Sequence, residues 1–101
     1  MAYPHPTGHG SRNAAGYAWQ HWALSLTHAE YRSAIGTIRP GHNRVGGRVF
    51  YALPASTGDY LRTDAGKMQQ FRNFKGAAEA LVDAATLLDR AKAAIKAHKP
   101  G

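Results

Sequence analysis

Cysteine is absent from the 101 residues, which excludes a disulfide framework, a thiolate zinc site and a cysteine nucleophile together. Acidic residues are scarce: 6 Asp plus Glu stand against 13 Lys plus Arg, a formal charge of +7 with the six His neutral. None of these acids forms a close pair in sequence, so two-carboxylate catalysis has no local support. Long apolar runs are also missing. The longest, residues 49–53, falls far short of the roughly 20 residues that cross a bilayer, so no membrane span is expected. Residues 1–10 have neither a basic n-region nor an apolar h-region, which predicts a protein that stays in the cytoplasm. What is present is a hydrophobic fraction of 44% and an aromatic fraction of 10%, enough to form one core. The length leaves no material for a second core, which excludes a multidomain enzyme.

Residues 1–16, rich in Gly, Pro and His, read as an extended N-terminal arm before a single α+β domain at 17–101. Ala15, Trp19, Trp22 and Leu26 follow a 4-3-4 helical spacing, although Trp22, Leu24 and Leu26 also alternate as a strand would. Helix is the favoured reading there. Thr27 and Glu30 make a T-x-x-E capping box, and Tyr31, Ala34, Ile35 and Ile38 repeat as i, i+3, i+4, i+7, so a helix is predicted over about 28–38 with Pro40 and Gly41 as its stop. Residues 48–53 read as a strand ended by Pro54. Residues 60–62 and 68–71 flank a turn with Gly66 in the left-handed position, which suggests a three-stranded antiparallel meander. Ala77, Leu81, Ala84, Leu88, Ala91 and Ile95 draw one stripe along a helix near 76–97, closed by Pro100 and Gly101. Glu79 and Asp83 early, and Lys92, Lys96, His98 and Lys99 late, complement its dipole. The stripe is expected to cover the sheet; the pairing of two copies into a homodimer through the C-terminal helix is the alternative.

The charge is concentrated. Between Arg32 and Lys75 eight basic residues meet two acidic ones, while residues 76–101 are nearly balanced. Six of those eight are Arg, whose planar fork suits phosphates and base edges. A nucleic acid is the natural partner. Arg39, Arg44, Arg48, Arg62, Lys67, Arg72 and Lys75 are the predicted nucleic-acid-binding residues, with Tyr or Phe available for stacking. A solvated basic face that only aids solubility is the plainer alternative.

The hairpin Gly66-Lys67, the pair Phe71 and Phe74 and the Ala-rich helix start give residues 60–85 a further meaning. This quarter of the chain resembles the closing part of three-stranded-sheet-plus-helix DNA-binding domains, such as the AP2 family and the arm-binding domains of tyrosine-type integrases. The resemblance implies a sheet laid in the major groove.

Other chemistry has less support. His5 and His9, and His21 and His28, lack the neighbouring ligands of a zinc motif, so no metal and no cofactor are expected. Residues 41–47 are Gly-rich but lack the GK[ST] ending of a phosphate-binding P-loop. His42, Asn43, Arg44, Arg48 and Tyr51 would suit a metal-independent ribonuclease toxin, with His moving protons and Arg stabilising the phosphorane. Trp19 and Trp22 read as core or as a protein interface. The leading expectation is a non-enzymatic nucleic-acid-binding protein, regulatory or architectural, with no catalytic residue. The second is an inhibitor or accessory subunit, encoded by a phage or mobile element, that docks on a complex such as a CRISPR machine. The ribonuclease is third.

Overall fold

The structure, a computed structural model, describes residues 3–97. Six strands precede one helix: β1 (His5–Pro6), β2 (Arg12–Ala14), β3 (Tyr17–Ala23), β4 (Ala29–Ser33), β5 (Gly36–His42), β6 (Arg48–Pro54) and α1 (Phe74–Ala97). Every pairing is antiparallel, in the order β1-β3-β4-β5-β6, with β2 also paired to β3. The chain is therefore α+β with a C-terminal helix on a sheet, as expected, but the sheet has more than three strands and no N-terminal helix exists among the described residues.

Both N-terminal helix expectations are corrected. Residues 17–23 form β3, and residues 28–38 divide between β4 and β5. The four residues that mimicked a helical stripe belong to a hairpin: Tyr31 and Ile38 face each other across β4 and β5, while Ala34 and Ile35 make the turn. Glu30, read as part of a capping box, is instead a buried strand residue. Pro40, read as a helix stop, sits inside β5 beyond the end of the β4 ladder, where a missing N–H interrupts no bond to β4. The arm is extended but not separate. Its strands β1 and β2 pair with β3, the Thr7 N–H donates to the His21 carbonyl at 3.1 Å, and the His21 N–H donates to Ser11 Oγ at 3.2 Å.

The meander is realised in part. β6 is a full strand, and Gly66 takes a φ of 80°. Residues 60–71, however, touch β6 through single ladder positions: Leu61 N–H donates to the Ala52 carbonyl at 2.8 Å, and Phe50 and Phe71 exchange backbone bonds of 2.8 and 2.9 Å.

Strand alternation assigns one sheet face to the core. Trp19, Ile38, Phe50 and Ala52 lie against Phe74, Ala77, Ala78 and Leu81 of α1. Phe74, the first helical residue, meets Trp19, Tyr31 and Phe50 edge-on at ring separations of 5.7, 4.9 and 6.0 Å, and the Arg12 guanidinium covers it at 4.2 Å. Asn73 caps the helix, its Oδ1 accepting the Gly76 N–H at 2.7 Å. Full burial of Trp19, Ile38 and Leu81 contributes about 1.5–3 kcal/mol apiece. His98, Lys99, Pro100 and Gly101, read as the helix end, lie outside the described residues.

Candidate nucleic-acid interface

Among the described residues no helix covers the sheet face opposite α1, and the same alternation fills it with polar and aromatic side chains around the buried Val49 and Glu30. Trp22 pairs with Glu30 across β3 and β4, and Arg39 pairs with Tyr51 across β5 and β6. Glu30 joins the two pairs into one row by accepting from Arg39 Nε at 2.8 Å. A second row runs Gln20, Arg32, Thr37 and Leu53. Arg32 leans across it, hydrogen-bonding Glu30 and stacking over Trp22 with its guanidinium 4.0 Å from the ring. Tyr60 completes the face from the loop after β6: its hydroxyl accepts from Arg39 at 2.8 Å, and its ring meets Tyr51 edge-on at 6.1 Å.

Glu30 is buried, whereas its two arginines keep 36% and 44% of their side-chain surface. Burial pushes the Glu30 carboxyl up, but the hydrogen bonds and charges of Arg32 and Arg39 outweigh it and hold the group below the ordinary carboxylate value. The hydrogen bond to Glu30 raises Arg39 in turn, against burial, with a smaller contribution from Tyr60. The face thus carries a fixed, singly positive Arg-Glu-Arg unit between aromatic rings. Gly41 has a special place here: a Cβ on it would stand 2.7 Å from Tyr51 Cε2, so its bare backbone lets the Tyr51 ring lie flat on β5.

At the β5–β6 turn end the face runs into an open cleft of roughly 620 Å³, lined by Asn43, Arg44, Thr63, Lys67, Met68 and Gln70 among others. Two turns build it. Asn43 Oδ1 accepts from the Val45 and Gly47 N–H groups at 3.1 and 2.8 Å and shapes the β5–β6 turn; the Thr63 N–H, donating to the Lys67 carbonyl at 2.7 Å, closes the second. Gln70 Nε2 donates to the Tyr51 hydroxyl at 3.4 Å, linking the cleft to the aromatic row.

The seven basic residues read from the sequence do not form one patch. Arg44 and Lys67 meet in this cleft, and Arg39 lies on the open face bound to Glu30. Arg62 is held by Asp59 at 3.5 Å and by the Gly66 carbonyl at 3.0 Å; Lys75 stands 3.8 Å from Glu79. Arg48 faces His42 across the strands on the α1 side of the sheet, and Arg72 precedes α1. Trp19 is fully buried and hydrogen-bonded to the Ala14 carbonyl at 3.0 Å, so it serves the core and cannot be an interface residue. Trp22 is half-buried on the open face. Sequence reading missed Glu30, Arg32 and Tyr60 as parts of this surface. The alternation of Gln20 with Trp22 and of Glu30 with Arg32 was the signal available for the first two.

A second cleft, roughly 610 Å³, brings His28, His42 and Arg48 together beside Pro40. Among the described residues no group of three or more His, Asp or Glu could hold a metal ion, and no helix is long and apolar enough to cross a membrane. No known protein family, curated protein or solved structure matches this chain.

Proposed function

We propose that the protein binds single-stranded nucleic acid along its open sheet face, with no chemistry of its own, in a regulatory or architectural role. The observation that carries this reading is the continuity of Arg44 and Lys67, through Gln70, with the row of Tyr51, Tyr60, Arg39 and Trp22. Cationic groups at one end suit phosphates, and half-exposed rings on a sheet face suit unpaired bases. Width favours a single strand over a duplex. Five strands about 4.8 Å apart span about 19 Å, more than the roughly 12 Å of a B-DNA major groove. The test is fluorescence anisotropy with labelled single-stranded DNA, single-stranded RNA and duplex over a salt series. The expected result is preference for single strands, with log affinity falling by about 0.7 per phosphate contact per log unit of salt. A flat salt response or no binding overturns the reading. A stoichiometric protein complex recovered from lysate after nuclease digestion would put an accessory-subunit role in its place.

The shared cleft of His28, His42 and Arg48 favours a second reading, metal-independent RNA cleavage. One imidazole would take the 2′-hydroxyl proton as that oxygen attacks phosphorus. The other would protonate the departing 5′ oxygen, and Arg48 would stabilise the phosphorane. RNA cleavage lost in His42→Ala with RNA binding retained supports this reading; intact RNA with the native protein removes it.

A further inference from the structure

The apolar stripe of α1 is longer than the sheet it covers. Ala77 and Leu81 are fully buried, Ala84 and Leu88 are half-buried, and Ala91 and Ile95 are exposed, Ile95 at 73%. Leu87, on the flank of the same stripe, is 65% exposed. At 1.5 Å per residue the 24-residue helix is about 36 Å long. Its distal half projects past the sheet and contributes to the 55 Å length of a molecule only 32 and 23 Å across.

The spacing of the stripe says what fits the projecting part. Leu81, Leu88 and Ile95 recur every seven residues, and Ala77, Ala84 and Ala91 recur every seven between them, which is the seam of a two-helix coiled coil. Large and small residues alternate strictly along that seam. Two copies set parallel would place Leu88 on Leu88 and Ala91 on Ala91, alternating wide layers with voids. Two copies set antiparallel about a two-fold axis between residues 89 and 90 would place Leu88 on the partner's Ala91 and Ile95 on the partner's Ala84, so every layer has one separation. Leu87 then covers the partner's Ala94. On the opposite flank the partner's Lys92 lies two residues, about 3 Å, along the axis from Asp89, within reach of its carboxylate and twice by symmetry, whereas a parallel pair would give neither Lys92 an acid across the seam.

The sheet leaves room for this arrangement. A groove of roughly 400 Å³, walled by Tyr17, Ile35, Pro54, Ala85 and Leu88 with Asp89 at its rim, opens beside the middle of α1. It lies where the end of a second helix, led by the partner's Ile95 and Lys92, would enter.

We propose that the protein forms an antiparallel homodimer through residues 84–95 of α1, with the two sheets at opposite ends of the assembly. This surface is separate from the open sheet face, and its test does not depend on nucleic acid. Sedimentation equilibrium of the full chain over a concentration series should give a monomer–dimer equilibrium. Ile95→Asp should weaken it at least tenfold, about 1.4 kcal/mol, with an unchanged circular dichroism spectrum, because Ile95 is exposed at the projecting end of α1. Asp89→Lys should weaken it as well, and the exchange Asp89→Lys with Lys92→Asp should restore it. A monomer at every concentration, or a dimer that Ile95→Asp leaves intact, overturns the proposal.

Discussion

Arg39 Nε lies 2.8 Å from Glu30 Oε1, and the other oxygen of that buried carboxylate is taken by Arg32. One acid thereby fixes two guanidiniums on the open face, one over Trp22 and one against the Tyr60 hydroxyl. Burial raises the Glu30 carboxyl and the two arginines lower it further, so it titrates below the ordinary value of 4.5. A carboxyl more acidic folded than unfolded stabilises the fold at all pH values above its unfolded range, and that stabilisation is lost as pH falls through its folded value. Urea midpoints should therefore be level near neutrality and fall in the acid range below 4.5. Glu30→Gln should cost about 1–3 kcal/mol at neutral pH and flatten the acid slope, the loss of a charge-assisted hydrogen bond with its partner left in place.

The two tryptophans should separate cleanly. Trp22→Ala should leave the denaturation midpoint nearly unchanged and weaken single-strand binding by about 1–3 kcal/mol, the value of one stacked base. Trp19→Ala removes a fully buried ring and should cost about 3–5 kcal/mol of stability. Paired urea and anisotropy titrations measure both.

Arg44→Ala with Lys67→Ala should lower affinity and shallow the salt slope by about 1.4, two contacts at 0.7 each. Lys75→Ala should leave the slope unchanged, because Lys75 lies on α1 beside Glu79, away from the open face. Equal effects of the two changes would mean that the basic charge acts diffusely and not through the cleft.

Gly41→Ala should tilt the Tyr51 ring off β5, since the added methyl would meet it at 2.7 Å. The expected outcome is a downfield or upfield shift of the Tyr51 ring resonances and weaker binding in a protein that still folds cooperatively.

Some of this was written plainly in the sequence. Local signals placed α1, β6 and the Gly66 turn, because a helical stripe, a β-branched run and a left-handed glycine each act within a few residues. β3, β4 and β5 were hidden because a tight hairpin imitates a helix: Tyr31, Ala34, Ile35 and Ile38 have helical spacing by coincidence of a two-residue turn that falls between the strand positions. The same error concealed the candidate site. Glu30 read as a helix cap cannot face Arg39, and only the β4–β5 hairpin brings those residues to one face. Charge counting found Arg44 and Lys67 but not their difference from Arg62 and Lys75, which local carboxylates hold.

The N-terminal residues that run along β3 have a protective consequence. Strand margins with free N–H and carbonyl groups recruit further chains into fibrils, and here β1, β2, Thr7 and Ser11 occupy those groups on Tyr17–Ala23. A shortened chain beginning at Gly16 would bare that margin together with the indole of Trp19. It should bind thioflavin and precipitate, where the longer chain stays clear.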